Sequence, residues 1–143
     1  MITINGMNFP LDRKYYTKSG AHMWLKQENG VVKIGLDAFA SEMAGFLTFF
    51  KISEEDPKAG DAIGSFESAK FVSRFYSPIS GKIVKVNEAA IANPKLINDD
   101  PYATWIVAID PVNPEELATE FIIEEGGEVE AWITEELKKL EEG

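Results

Sequence analysis

The sequence predicts a single, mainly β domain of the α+β class. Short runs rich in β-branched and aromatic residues are separated by glycine and proline turns, and a helical period occurs in only a few places. The 143 residues suit one domain. Neither a long linker nor a repeat of about 20–50 residues divides them.

The first elements are a strand, a helix and a second strand. Residues 31–35 form a β-favouring run that ends at a glycine. Residues 36–44 predict one helix, because apolar residues recur there at helical spacing, and Gly45 follows as a stop signal. The bulky residues 46–50 predict the next strand. The apolar positions of the helix are Leu36, Phe39, Ala40 and Met43.

A turn and three strands are predicted in the middle of the chain. Residues 58–61 (Lys-Ala-Gly-Asp) form a turn that leads into a strand over residues 62–66. A second strand covers residues 71–76, and residues 83–86 form the clearest alternating strand. Ser-Pro and Ser-Gly pairs separate these last two strands, as expected for turns.

The last third of the chain predicts one strand followed by helices. Residues 104–109 form a strand between proline-rich turns. Asn113 and Pro114 are typical of the first two positions of a helix, and the glycine pair at 126–127 ends that segment. A final helix is predicted over residues 128–140, where acidic residues surround one apolar stripe. The stripe consists of Val129, Trp132, Ile133, Leu137 and Leu140.

Composition and charge exclude several classes of function. Fourteen Lys and Arg against 24 Asp and Glu give a net charge of −10, which disfavours nucleic acid and anionic lipid as partners. The absence of cysteine excludes a disulfide scaffold, an iron–sulfur cluster and a cysteine nucleophile. With His22 as its single histidine, the chain is expected to hold no metal. A signal peptide and a membrane-spanning run are both missing, so a cytoplasmic protein is expected.

One lysine stands out by its position between two strands. Lys70 falls where a tight hairpin would display it, although a lysine in a turn is by itself usually only a solvated charge. The surrounding motifs are more specific: residues 67–70 read Glu-Ser-Ala-Lys, residues 77–81 read Ser-Pro-Ile-Ser-Gly, and residues 86–87 read Val-Asn. Together they resemble the glycine-cleavage H proteins, which are lipoyl carriers of the biotinyl/lipoyl-attachment superfamily. Biotin carriers place Met on both sides of the lysine, and this chain does not.

The resemblance implies a fold, a modification and a role. It implies a barrel-sandwich hybrid of two small antiparallel sheets over residues 15–143, with residues 1–14 as an N-terminal arm, a short helix after the first strands and C-terminal helices outside. Lipoate is expected as an amide on Lys70, and Glu67 and Ser68 are expected to be read by a lipoate ligase or lipoyltransferase. The protein would then be a monomeric carrier without catalysis of its own, and dihydrolipoyl dehydrogenase is an expected partner.

The chain departs from these H proteins around the cleft in which their loaded arm is held. Residues 22–24 read His22-Met23-Trp24 where the family typically has His-Glu-Trp, Arg74 replaces a usual Asp, and Met43 replaces a histidine of some members. A cleft without these acids would suit an anionic cargo better than an aminomethyl ammonium group. In this respect the chain resembles the lipoate-binding proteins of the heterodisulfide-reductase-like sulfur-oxidation pathway, with that complex as partner.

Three alternatives remain open from the sequence. In the first, the chain is an H protein of the glycine cleavage system, which carries the aminomethyl group between glycine decarboxylase, aminomethyltransferase and dihydrolipoyl dehydrogenase. In the second, the chain is an unmodified scaffold with the same fold, and the intact motif at 67–70 disfavours this alternative. In the third, the chain is a small enzyme, and the lack of a recognisable nucleophile–base pair disfavours this alternative.

Overall fold

The computed structural model describes residues 1–142, and short antiparallel strands form most of the regular structure. This confirms the predicted mainly β fold, although the strands form three sheets rather than two. The strands are β1 (Ile2–Ile4), β2 (Met7–Phe9), β3 (Lys14–Tyr16), β4 (Met23–Glu28), β5 (Val31–Leu36), β6 (Leu47–Ile52), β7 (Ala62–Ser68), β8 (Phe71–Tyr76), β9 (Gly81–Val86), β10 (Val107–Pro111) and β11 (Ile122–Ile123). The α-helices are α1 (Ala38–Ala44), α2 (Glu88–Ala92), α3 (Lys95–Asp99) and α4 (Gly126–Glu142). No helix within residues 1–142 is long and apolar enough to cross a membrane.

The main core lies between two of the sheets. One sheet has the strand order β11-β3-β4-β5-β10-β9, and the other has the order β6-β7-β8. Fully buried apolar side chains from both sheets meet in one cluster, including Ile34 and Ile109 from the first and Ile63 and Phe75 from the second. The three-stranded sheet that carries the predicted lysine hairpin is therefore anchored by the core rather than being a surface flap.

A second apolar cluster joins the N-terminal segment to the C-terminal helix. Strands β1 and β2 form a hairpin whose Phe9 is fully buried, and it packs with Val129 and Ile133 of α4. Residues 1–14 thus contain a folded hairpin, and the boundary of the carrier domain at residue 15 stays a prediction.

The first predicted helix begins later than expected. Leu36 is the last residue of β5, where it pairs with Met23, so the helix starts at Ala38. The Asp37 side chain accepts a hydrogen bond from the backbone N–H of Ala40 at 2.9 Å, which caps the helix and separates it from the strand. The following strand covers Leu47–Ile52 instead of residues 46–50, and Gly45 ends the helix as predicted.

The C-terminal third shows the largest differences. The strand predicted at 104–109 begins later and covers Val107–Pro111. The Thr104 hydroxyl lies before it and donates to the carbonyl of Leu96 at 3.0 Å. The helix predicted from Asn113 is only a 3₁₀ turn, Pro114–Ala118. The glycine pair begins α4 rather than ending a segment, and Gly126 lies near Leu11 of the N-terminal segment. Helices α2 and α3 were not expected from the sequence.

Three tyrosines, of which Tyr15 and Tyr16 are buried and Tyr102 is half-buried, make the fold sensitive to alkaline pH. Burial raises the pKa of Tyr15, Tyr16 and Tyr102 above the ordinary value near 10. The Tyr15 hydroxyl donates to the carbonyl of Pro10 at 2.7 Å, and the Tyr102 hydroxyl accepts from the backbone N–H of Ala38 at 3.0 Å. The folded state therefore holds these phenols in their neutral form.

A raised folded-state pKa means that this stabilisation is complete below pH 10 and is lost as the pH rises further. We expect the free energy of unfolding to fall by about 2–3 kcal/mol between pH 10 and pH 11, since each tyrosine with a raised pKa contributes about 1 kcal/mol. Urea titrations between pH 8 and pH 11 measure the slope. Tyr15→Phe should make the slope shallower, and an unchanged slope in that variant would contradict the assignment to Tyr15.

Candidate functional site

The predicted hairpin exposes Lys70 at its turn. Strands β7 and β8 pair antiparallel up to Ser68 and Phe71, which leaves only Ala69 and Lys70 between them, both exposed. The Ser68 hydroxyl accepts a hydrogen bond from the backbone N–H of Lys70 at 3.4 Å and supports the turn. Below the turn, Phe66 stacks on Phe50 of the neighbouring strand with ring centroids 5.4 Å apart. The amine is thus displayed on a rigid base.

The aliphatic part of Lys70 lies against the end of α1. A Cβ atom at Gly45 would be 3.2 Å from Cε of Lys70 and 3.8 Å from its Nζ, and Gly45 has φ of +75°. Asn98 holds this bend: its Nδ2 donates to the Gly45 carbonyl at 2.8 Å, and its Oδ1 accepts from the N–H of Leu47 at 2.8 Å. Glycine is favoured here by its backbone conformation, which other residues rarely adopt.

A pocket of about 440 Å³ lies beside the hairpin, and we call it the α1–β8 pocket. It lies between the start of β4, helix α1, strand β8 and the last turns of α4. Two residues of the lysine hairpin, Phe66 and Phe71, form part of its wall, so the pocket is next to the lysine turn. Most of the other lining side chains are apolar, namely Ala21, Met23, Leu36, Phe39, Ala40, Met43 and Leu140.

All four residues predicted for the cargo cleft line this pocket. His22 and Met23 come from the start of β4, Met43 from α1 and Arg74 from β8. No lining residue within residues 1–142 is an acid, and exposed Arg74 is the one with a permanent charge. The structure brings the four residues together, and their contact with a cargo remains a prediction.

The structure also shows what holds His22. Its Nδ1 lies 3.3 Å from Oδ2 of Asp37, and its Nε2 lies 3.0 Å from Oε1 of Glu136. The ring is stacked between Phe39 at 4.1 Å and Trp132 at 4.4 Å, measured between centroids. No local sequence pattern around His22 indicates either carboxylate. The one available signal was the spacing of four residues from Trp132 to Glu136, which places them on the same face of a helix.

The other predicted site residues have different surroundings. Glu67 is half-buried in β7, opposite Phe49 and Val72 of the flanking strands, three residues before the lysine. Ser68 is half-buried and supports the turn as described above.

The Ser-Pro-Ile-Ser-Gly motif forms a tight turn rather than part of the pocket. The buried Ser77 hydroxyl donates to the carbonyl of Ile79 at 2.7 Å. The backbone N–H and hydroxyl of Ser80 donate to the two carboxylate oxygens of Glu116, at 2.7 and 2.9 Å. A Cβ at Gly81 would lie only 2.3 Å from the carbonyl oxygen of Asp110, so β9 can approach β10 this closely only at a glycine.

Comparison with known proteins identifies the family. The sequence model of the glycine cleavage H-protein family matches residues 14–136. The chain belongs to this family. Family members of known structure share its fold: the crystal structure of a glycine cleavage system H protein from Mycobacterium marinum superimposes with a TM-score of 0.65 at 32% identity, covering 77% of this chain and 97% of that one.

Curated members of the family are similar over most of their length. The glycine cleavage system H protein 5 of Aquifex aeolicus is 43% identical over 121 residues, which cover 81% of this chain and 82% of the relative. The glycine cleavage system H protein of Oceanobacillus iheyensis is 39% identical over 114 residues, covering 78% and 88%. These relatives are named for glycine cleavage and give no support to the predicted closeness to sulfur-oxidation carriers.

Proposed function

We propose that this chain is a lipoyl carrier in which Lys70 bears lipoate as an amide. The observation that carries the proposal is the two-residue turn that exposes the Lys70 amine at the end of an anchored sheet. When bound, lipoate supplies a strained cyclic disulfide that accepts electrons and a transferred group. Lys70 would be its point of attachment, and a lipoate ligase or lipoyltransferase would recognise Glu67 and Ser68 beside it.

We call Lys70 with its lipoate the lipoyl arm. We infer that this arm lies in the α1–β8 pocket when it is not engaged by a partner. The stem of Lys70 lies over Gly45, two residues from Met43 in the pocket wall. The neighbouring Phe71 is itself part of that wall. An apolar cavity of this kind shelters a hydrocarbon chain from water. We therefore assign Met23, Met43 and Arg74 to contact with the cargo, and His22 to the wall of the same cleft.

A carrier role also suits the chemistry of the remaining residues. The single histidine is held by two carboxylates, which leaves it without the hydroxyl or thiol partner of a nucleophilic catalyst. The chain then presents the arm to successive partner enzymes, so that the reactive end of the arm is at a high effective concentration in each active site. Its net charge of −10 favours fast encounter with basic surfaces of such partners.

Glycine cleavage is the better supported pathway for this carrier. The relatives similar over most of their length are named as H proteins of that system. The cargo would then be the aminomethyl group, and the partners would be glycine decarboxylase, aminomethyltransferase and dihydrolipoyl dehydrogenase.

One observation favours a second candidate, transport of a sulfur-containing anion for a heterodisulfide-reductase-like complex. Among residues 1–142 the pocket wall contains Arg74 and no carboxylate. A guanidinium suits anionic oxygens and repels an ammonium group.

Aminomethyl loading distinguishes the two candidates. We expect lipoylated protein, incubated with glycine decarboxylase and labelled glycine, to acquire the label on its arm. Arg74→Asp should speed loading by about fivefold, because it replaces a like charge by an opposite one near the ammonium group. Lys70→Arg, which has no lysine to carry lipoate at this position, gives the background level of label. An arm that takes no label in either the parent or the Arg74→Asp protein would contradict the glycine cleavage assignment and leave the sulfur carrier as the remaining candidate.

A further inference from the structure

The last turns of α4 form one side of the pocket although the core does not hold them. Ile133 is fully buried and Leu137 half-buried, but residues 138–142 are exposed. Leu140 nevertheless lines the pocket with half of its surface exposed. Burial of apolar side chains therefore anchors α4 only as far as Leu137, one turn before Leu140.

The Glu136 side chain supplies the missing anchor. It is only 11% exposed, and its Oε1 lies 3.0 Å from Nε2 of His22 while Oε2 lies 3.2 Å from Nζ of Lys139. Glu136 and Leu140 are four residues apart and so share a face of α4. A contact that fixes Glu136 consequently fixes the position of Leu140 at the pocket.

The geometry also fixes the orientation of the His22 ring. Both of its ring nitrogens lie near carboxylate oxygens, one of Asp37 and one of Glu136. Asp37 is fully buried and also caps α1 through Ala40, which orients it independently of the histidine.

We propose that His22 and Glu136 form a latch that holds the end of α4 as a wall of the α1–β8 pocket. His22 and Glu136 are positioning residues in this view: they act through Leu140 and through the packed pair Phe39 and Trp132 rather than on the reacting atoms. Loss of the latch loosens the wall and shortens the time that the lipoyl arm is sheltered. This last consequence depends on the proposed carrier function, whereas the latch itself does not.

The latch can be tested on unmodified protein by NMR, because the chain has a single histidine whose ring signals need no assignment. Glu136→Gln should shift these signals and the methyl signals of Leu140 and Met43. Glu135→Gln removes the same charge from an exposed neighbouring position and should leave them unchanged. Equal effects of the two variants on these signals would overturn the latch.

The effect on the arm can be measured on lipoylated, reduced protein. Since the chain has no cysteine, its only thiols are those of the arm, and their alkylation by iodoacetamide reports how far the arm is sheltered. Glu136→Gln should raise the alkylation rate by about tenfold, as expected when the charged acceptor of a hydrogen bond is replaced by a weaker, neutral one. Glu135→Gln should not raise it. Equal rates would show that the latch does not shelter the arm. Failure to lipoylate the protein would instead contradict the proposed function, and the NMR comparison would still decide the latch.

Discussion

Lys70→Arg is expected to abolish lipoylation completely. Amide formation needs a neutral amine as nucleophile, and a guanidinium stays protonated with its electrons delocalised over three nitrogens. Arginine keeps the positive charge and a long aliphatic stem, so the exposed turn should fold unchanged. After co-expression with a lipoate ligase, intact mass measurement should show the increment of one lipoyl group in the parent protein and none in the variant.

Lys82→Arg provides the matched control. Lys82 is also an exposed lysine, but it lies on strand β9, outside the hairpin. This variant should be lipoylated as fully as the parent. Lipoylation that persists in Lys70→Arg, or that disappears in Lys82→Arg, would refute Lys70 as the attachment site. A parent protein that gains no mass would instead support the unmodified scaffold.

Gly64→Ala is expected to destabilise the sheet that carries the hairpin more than any other small change described above. Gly64 pairs with Ile52 in the β6–β7 ladder, and a Cβ there would lie only 2.1 Å from the carbonyl oxygen of Lys51. The strands would have to separate over residues that also support the lysine turn. We expect the free energy of unfolding to fall by about 3 kcal/mol or more. Chemical denaturation measures the change, and a midpoint temperature about 10 °C lower is its thermal equivalent.

Gly127→Ala separates this steric effect from the general effect of replacing a glycine. Gly127 lies in the first turn of α4, and a Cβ there would meet no atom within 4 Å. Alanine should therefore leave stability within about 1 kcal/mol, on the stabilising side, because it favours a helix. A Gly64→Ala protein as stable as Gly127→Ala would show that β6 and β7 are not packed as closely as described.

Local patterns predicted the hairpin well because its determinants are close together in the chain. The β-favouring residues on both sides of Lys70 leave a gap too short for anything but a turn, and the structure shows that turn. Gly45 ends α1 as its sequence position indicated. Where prediction failed, a distant contact decided the outcome. Leu36 looked helical by its period, yet pairing with Met23 makes it the end of a strand.

Packing against other segments also set the boundaries near the C-terminus. Asn113 and Pro114 carry strong local signals for a helix, but only a short 3₁₀ turn follows them. The glycine pair before the last helix looked like a terminator, yet it begins α4 where the chain passes close to Leu11. A hydrophobic period or a capping residue depends only on residues nearby in the sequence. It therefore gives no information about contacts with distant segments of the chain.

The sequence by itself determined the mainly β class, the lysine turn and the family to which the chain belongs, since each depends on residues near one another or on motifs in a fixed order. The tertiary structure alone decided the pocket and the surroundings of its histidine. His22 and Glu136 are 114 positions apart, and no residue next to either of them in the sequence predicts their contact. Their contact exists because burial of Val129 and Ile133 brings α4 against the start of β4. The hydrophobic effect that drives this packing has no direction of its own, so only the completed fold specifies which polar groups it brings together.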